Sequence, residues 1–361
     1  MAYLNHVWLS ICGDRPVPPG FAIRVFTYVQ PPVSHCFPER VCGPTGLIGH
    51  TTLLNHMDVA VLGAATAGRE IAQLCALAGY GVSLYADDAT AVMDGIDVVE
   101  RRLDDTVAAG ETTEDETAIL DRLEGTTGLE AAVTDAGVVV ETTLDDAGDL
   151  QRRFAAIEDH VARETLVATS RPTVQVTAAA AGLRHPDRAL GLQFHRPLSS
   201  PLVEIVVAEQ TTTAATDRAR QFVDDLGAVA VTVGDTPGHA ATRLALALEA
   251  EAMRMVADGV ASVAAVDETL RQGYDHPVGP LERADRAGLA DRLETLSALS
   301  ASLGPRFAPP ELLERRVAEG ATGMDAGEGF YDWEGGEPVE PALPGPALSR
   351  DDADLDDPSR E

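Results

Sequence analysis

Residues Gly63 to Gly68 (Gly-Ala-Ala-Thr-Ala-Gly) are the first candidates for chemistry. They follow at once on Val59-Ala60-Val61-Leu62, a short apolar run containing β-forming residues. Helical spacing then takes over through Ile71, Leu74, Cys75 and Ala78, and Gly79 supplies a stop. A second apolar run, Val82 to Tyr85, ends in Asp87-Asp88. Strand, glycine turn and helix in that order set a dinucleotide's pyrophosphate on a helix N-terminus. The acid after the second run meets its ribose. Gly63, Ala64, Ala65, Thr66, Ala67, Gly68 and Asp87 are therefore candidate cofactor ligands in a nucleotide-dependent enzyme. By itself the glycine turn is a weak signal.

Around this opening the pattern keeps alternating. A charged helical stretch over Asp94–Arg122 carries the stripe Ile96, Val99, Leu103 and Val107. Strands are expected at Ala136–Thr142, Leu166–Thr169, Ala189–Phe194, Leu202–Ala208 and Val229–Val233. Helices are expected at Leu150–Val161, Thr177–Gly182 and Thr213–Leu226. Such alternation implies an α/β domain of the Rossmann type, a doubly wound and mainly parallel sheet. After Gly238 the pattern is nearly all helical, at Ala241–Gly259, Val266–Gly273, Pro280–Leu303 and Pro310–Ala318. The expected domains are thus 57–237, nucleotide-binding, and 238–335, all helical, divided at Pro237-Gly238.

The formal net charge is −31, and all 27 basic residues are arginine, with no lysine anywhere. That balance fits a cytoplasm of high salt, where acidic surfaces stay hydrated and repel one another. It argues against nucleic acid or anionic membranes as partners, since both need a basic footprint. No run of 18 apolar residues exists, so no transmembrane helix is expected. The first 56 residues break the pattern, holding only Asp14 and Glu39 against Arg15, Arg24 and Arg40, a net of +1 that leaves −32 on the other 305. They read as an upstream extension without a stable fold, with Met57 as the expected true start. Cys36, Cys42, His35, His50 and His56 lie there, but no Cys-x-x-Cys spacing supports a metal site. Cys75, on the apolar face of its helix, reads as packing. From 336 to 361, five prolines and eight acids against two arginines read as a disordered tail.

Later strings carry a more specific likeness. They are Gly191-Leu-Gln-Phe-His-Arg-Pro197, Leu202-Val-Glu-Ile-Val206, Asp235-Thr-Pro-Gly238 with Arg243, His276-Pro-Val-Gly-Pro-Leu-Glu282 with Asp285, and Gly327-Glu-Gly-Phe-Tyr-Asp332. In order and near-spacing the chain over about Asp58 to Trp333 resembles the 3-hydroxyacyl-CoA dehydrogenase family. The resemblance implies an NAD-binding domain, a helical domain that forms a homodimer, and an acyl-CoA substrate held between them. The implied reaction is reversible hydride transfer between NAD and C3 of a 3-hydroxyacyl thioester. It needs a base tuned near neutrality, usually histidine, with a buried carboxylate to orient it.

Several positions depart from the family's pattern. Gln193 stands where the family carries its histidine, and an amide is no base. Pro172 stands at the family's serine, Thr242 at its asparagine before Arg243, and Arg196 at the amide facing the nicotinamide. Ala65 replaces the middle glycine of the turn, and the ribose-binding acid falls at Ala86, with Asp87 one place later. Asp145 takes the place of an acid near the nicotinamide ribose, while Glu204 keeps the family's carboxylate. His195 lies two residues beyond Gln193, so on a strand both project from one face roughly 6–7 Å apart. Two readings of His195 stand: a displaced base partnered by Glu204, or a filler of an aromatic position. Thr173 offers a hydroxyl near the lost serine, and His239 replaces an aromatic beside the Pro-Gly segment, as cleft lining or as chemistry. A dehydrogenase with reorganised catalytic residues and a non-catalytic paralogue both follow from this pattern. A sugar-acid dehydrogenase would ordinarily carry a catalytic lysine, which is absent.

Overall fold

The computed structural model describes residues 58–343, apart from 109, 111, 196 and 199–201. The expected extension over 1–56 lies outside the described residues, as does everything from 344 on.

Eight strands form one sheet: β1 (Asp58–Leu62), β2 (Val82–Tyr85), β3 (Leu123–Thr126), β4 (Ala136–Glu141), β5 (Leu166–Thr169), β6 (Ala189–His195), β7 (Leu202–Val207) and β8 (Val229–Gly234). Their spatial order is β3-β2-β1-β4-β5-β6-β7-β8, and every neighbouring pair is parallel except β6 and β7. That exception follows from chain length. Parallel strands need a crossover of a dozen or more residues, and only six separate His195 from Leu202. The central strands are apolar in unbroken runs because both faces are covered. Val59, Val61, Val138 and Val140 point into one core, and Ala60, Leu62 and Val139 into the opposite one. Cys75 is fully buried in the first of these cores, and burial pushes its thiol up to about 12, as packing rather than chemistry requires.

A third core belongs to the residues after the sheet, with Leu246, Met253, Leu281, Leu296, Leu313 and Phe330 at its centre. It is built from helices Ala241–Ala257, Val263–Gly273, Pro280–Ala287, Leu289–Leu303 and Glu311–Ala318. Among the described residues no helix is long and apolar enough to cross a membrane.

Four expectations are corrected. The helical stretch over Asp94–Arg122 is two helices, Ala89–Ala108 and Glu116–Leu120, the second capped by Asp115 through the Thr117 amide at 3.0 Å. Strand β3 was not expected; Leu-Glu-Gly-Thr is half exposed at the sheet edge and carries no apolar alternation. The helix over Pro280–Leu303 breaks at Gly288, whose φ of 87° admits the turn. Finally, the second lobe is not all helical and the tail does not begin at 336: β9 (Tyr331–Glu334) pairs antiparallel with β10 (Glu337–Pro341). The buried Asp285 carboxylate anchors this hairpin, accepting from Phe330 N (2.8 Å), Tyr331 N (2.9 Å) and Trp333 Nε1 (3.0 Å).

Candidate active site

The carboxyl ends of β1, β2 and β4 open on a crevice of about 470 Å³, lined by Gly63, Ala64, Ala65, Arg69, Asp87 and Glu141 among others. Its shape depends on two glycines. At Gly63 (φ 121°) a Cβ would lie 2.3 Å from Thr142 Oγ1, and at Gly68 a Cβ would lie 1.8 Å from the Gly63 carbonyl oxygen. The turn and the helix can approach this closely only without those side chains. Helix Thr66–Leu77 starts at Ala65 with no side-chain cap and no acid in its first turn. Its N-terminal amides and positive dipole end are therefore left for an anionic ligand at the crevice floor.

Strand β2 ends at Tyr85, so Asp87 does not continue its alternation; it lines the crevice. Its carboxylate accepts from the Tyr85 hydroxyl and lies 3.6 Å from the Arg153 guanidinium, which sits over the Tyr85 ring at 5.4 Å. Arg153 is a crevice residue that sequence reasoning missed. It comes from helix Ala147–Glu158, and no local pattern announces a contact across the sheet. Glu141, fully buried, accepts from the Thr143 amide and hydroxyl through one oxygen and leaves Oε2 without a hydrogen-bond partner. These features fit a dinucleotide: an anion cradle, an exposed carboxylate for a ribose, and an acceptor in the wall.

The second cluster lies at the end of β6. In the antiparallel register Gln193 faces Glu204 and His195 faces Leu202, so His195 and Glu204 are diagonal neighbours on one face. Two long side chains bridge that diagonal, and His195 Nε2 lies 2.9 Å from Glu204 Oε2. The other oxygen of Glu204 accepts from the Ala240 and Ala241 amides, each at 2.9 Å, at the start of helix Ala241–Ala257. This helix has no side-chain cap of its own, so the Glu204 carboxylate supplies one and ties the sheet to the second lobe. Burial of Glu204 opposes its charge, but the His195 hydrogen bond and the two amides outweigh it and hold its pKa below the ordinary value. With Glu204 ionised, the ring nitrogen facing it is the donor, which in a neutral imidazole leaves the lone pair on Nδ1. The imidazole is about one quarter exposed.

Other expected residues stand apart. Gln193 sits opposite Glu204, with its buried Oε1 unpartnered. Asp145 is engaged by the Arg171 guanidinium and by Thr173 Oγ1 at 3.3 Å, which also accounts for the Thr173 hydroxyl. Arg196 lies outside the described residues. Thr66, Ala67 and Gly68 occupy the first helical turn, with Gly68 buried against Gly63.

A doubly wound sheet with an anion cradle, joined through a carboxylate to a helical lobe that abuts a histidine, defines a dinucleotide-dependent oxidoreductase of two lobes. Comparison with known proteins narrows the class. Residues 58–236 match the model of the 3-hydroxyacyl-CoA dehydrogenase NAD binding domain, and residues 238–333 match that of the 3-hydroxyacyl-CoA dehydrogenase C-terminal domain. The chain belongs to the 3-hydroxyacyl-CoA dehydrogenase family. It is 30% identical over 280 residues to a probable 3-hydroxybutyryl-CoA dehydrogenase of Bacillus subtilis, covering 77% of this chain and 97% of the relative. It is 32% identical over 284 residues to a 3-hydroxybutyryl-CoA dehydrogenase of Mycobacterium tuberculosis, covering 76% of this chain and 98% of that one. A solved structure of (S)-3-hydroxybutyryl-CoA dehydrogenase from Ralstonia eutropha superposes with a TM-score of 0.72 at 28% identity, covering 77% of this chain and 99% of that chain.

Proposed function

We propose that this protein interconverts a 3-hydroxyacyl-CoA and its 3-oxo form with NAD, using His195 as the base and Glu204 as its orienting carboxylate. The observation that carries this reading is the His195 Nε2 to Glu204 Oε2 contact of 2.9 Å, with the second carboxylate oxygen taken by two backbone amides. A carboxylate fixed at both oxygens holds the ring in one orientation and one tautomer, and stabilises the imidazolium when Nδ1 accepts a proton. The chemistry thus moves two residues along the strand from Gln193 while keeping the same carboxylate. NAD, when bound, accepts or supplies the hydride. Gly63, Ala64, Ala65, Thr66, Ala67 and Gly68 would hold its pyrophosphate, and Asp87 a ribose hydroxyl. Arg153 would brace Asp87.

The names of the relatives make a short acyl chain the first substrate to try. A homodimer through the helical lobe is supported by apolar side chains left bare there, Leu244 at 72% and Val260 at 58% exposure. A cytoplasmic setting of high salt is supported by the charge of −31 without lysine. The competing reading is a non-catalytic binder of nucleotide or acyl-CoA. Pro172 and Gln193 favour it, since neither offers the hydroxyl or base found in the family.

NADH oxidation with acetoacetyl-CoA in molar salt separates the two, comparing the wild type with His195→Ala and Gln193→His. Loss of a general base costs roughly 10²–10⁴ in rate, so His195→Ala is expected to abolish most turnover. If turnover survives His195→Ala unchanged, the displaced base is wrong. NADH binding without turnover in the wild type would favour the binder.

A further inference from the structure

We propose that His239 donates a hydrogen bond to the substrate's C3 oxygen, next to Pro172, which stands where the family carries a serine hydroxyl. This rests on the reading of the His195–Glu204 pair as the active site.

Three contacts locate the residue. The amide of Gly238 donates to the Pro172 carbonyl oxygen at 2.8 Å, so the residue before His239 is bonded to the backbone at the position of the family's serine. The amides of Ala240 and Ala241, immediately after it, are the two that hold Glu204. His239 is therefore flanked by one residue bonded to Pro172 and two bonded to Glu204. Its imidazole is 4% exposed, and both ring nitrogens are buried with no hydrogen-bond partner among the described residues. A neutral imidazole carries one N–H donor and one acceptor nitrogen, and a buried ring with neither satisfied is held at a cost. A ligand oxygen arriving beside His195 is an acceptor that would meet that need.

The backbone agrees. His239 has φ 45°, one of only two non-glycine residues with positive φ among the described residues. Its amide closes a turn on the Thr236 carbonyl at 3.0 Å. Such backbone persists where the surroundings over-determine it, and it clusters at functional positions. The charge state also suits a neutral donor. Burial lowers the pKa of His239, with the field of His195 in the same direction and those of Glu204 and Asp235 opposing. A neutral ring beside His195 does not compete for the Glu204 carboxylate. It presents an N–H toward an oxygen that gains negative charge as the carbonyl takes hydride. No group needs to be gained or lost at His239: the hydrogen bond strengthens and relaxes with the charge.

The test compares His239→Phe, which keeps a planar ring without a donor, with His239→Asn, which tolerates the left-handed backbone and keeps an N–H. Kinetics with NADH and acetoacetyl-CoA, acetoacetyl-CoA affinity by calorimetry, and thermal melting are measured for each. Losing one such donor costs about 10²-fold in kcat, so His239→Phe is expected to fall by that order. Its KM for NADH should stay near the wild-type value, while His239→Asn recovers part of the loss. A ring that merely fills space would give the opposite result: His239→Phe equal to wild type in kcat and at least as stable, which overturns the proposal. If His239→Phe fails to fold, His239→Gly decides, since it suits the positive φ and removes the donor, and wild-type turnover in it would also overturn the proposal. If the wild type binds acetoacetyl-CoA without turnover, loss of that affinity in His239→Phe supports the donor and unchanged affinity refutes it. If the wild type neither binds nor turns over acetoacetyl-CoA, the dehydrogenase reading itself fails, and this inference with it.

Discussion

Glu204→Gln is the sharpest perturbation of the dyad, because it changes charge and hydrogen-bond direction while keeping shape. The amide oxygen of glutamine can still accept from the Ala240 and Ala241 amides, which hold the present Oε1 at 2.9 Å each. The amide nitrogen must then occupy the Oε2 position and point its hydrogens at His195 Nε2, now 2.9 Å away. Two donors cannot face each other, so the imidazole shifts its hydrogen to Nδ1 and loses the lone pair proposed to act as base. The expected fall in kcat is that of removing a general base, roughly 10²–10⁴-fold. Stability should fall by about 1–3 kcal/mol, the cost of weakening a buried charge-assisted hydrogen bond. The acid limb offers an independent check. Glu204 titrates below its ordinary pKa in the fold, so it binds protons less readily folded than unfolded. Its contribution is complete above the unfolded value of about 4.3 and drains away as pH falls through the folded value. Melting temperatures of wild type and Glu204→Gln should therefore differ most near neutrality and converge below about pH 4. NADH oxidation with acetoacetyl-CoA and melting from pH 3 to 8 supply both readings. Turnover in Glu204→Gln close to that of the wild type would refute the tautomer argument outright.

Further outcomes test the frame around the site. Gly68→Ala sets a Cβ 1.8 Å from the Gly63 carbonyl oxygen, a clash between backbones, so NADH binding by calorimetry should vanish and melting should fall. Asp285→Asn replaces one acceptor facing Phe330 N, Tyr331 N and Trp333 Nε1, leaving at least one buried donor unmet. A loss of about 1–3 kcal/mol in denaturant unfolding is expected. Ending the chain after Gly335 removes β10, the partner of β9, and should lower the melting temperature relative to a chain ending at Leu343.

Much of the first lobe was legible because its signals are local. The apolar run Val59–Leu62, the glycine turn and the periodic helix occupy one continuous stretch, and each element's type follows from period and turn residues alone. The alternation of later strands and helices likewise pointed to the sheet. What escaped was whatever depended on neighbours. β3 has too few apolar residues to declare itself and exists by pairing with β2. The β10 segment, Glu-Pro-Val-Glu-Pro, reads as solvated chain and is a strand because β9 is beside it.

The site divides in the same way. From the residues came the cradle and the placing of His195 and Gln193 on one strand face, while the resemblance to the family implied the retained carboxylate at Glu204 and the lost base at Gln193. Only tertiary structure supplied the contact of His195 with Glu204, because it depends on the β6–β7 register, fixed by strand pairing rather than by either segment. It also decided that Arg171 and Thr173 engage Asp145, and that helix Ala241–Ala257 lends two amides to Glu204. Residue type sets what a group is able to do. Hydrogen-bond geometry acts only over about 3 Å, and distances of that order between remote residues exist only once the chain has folded.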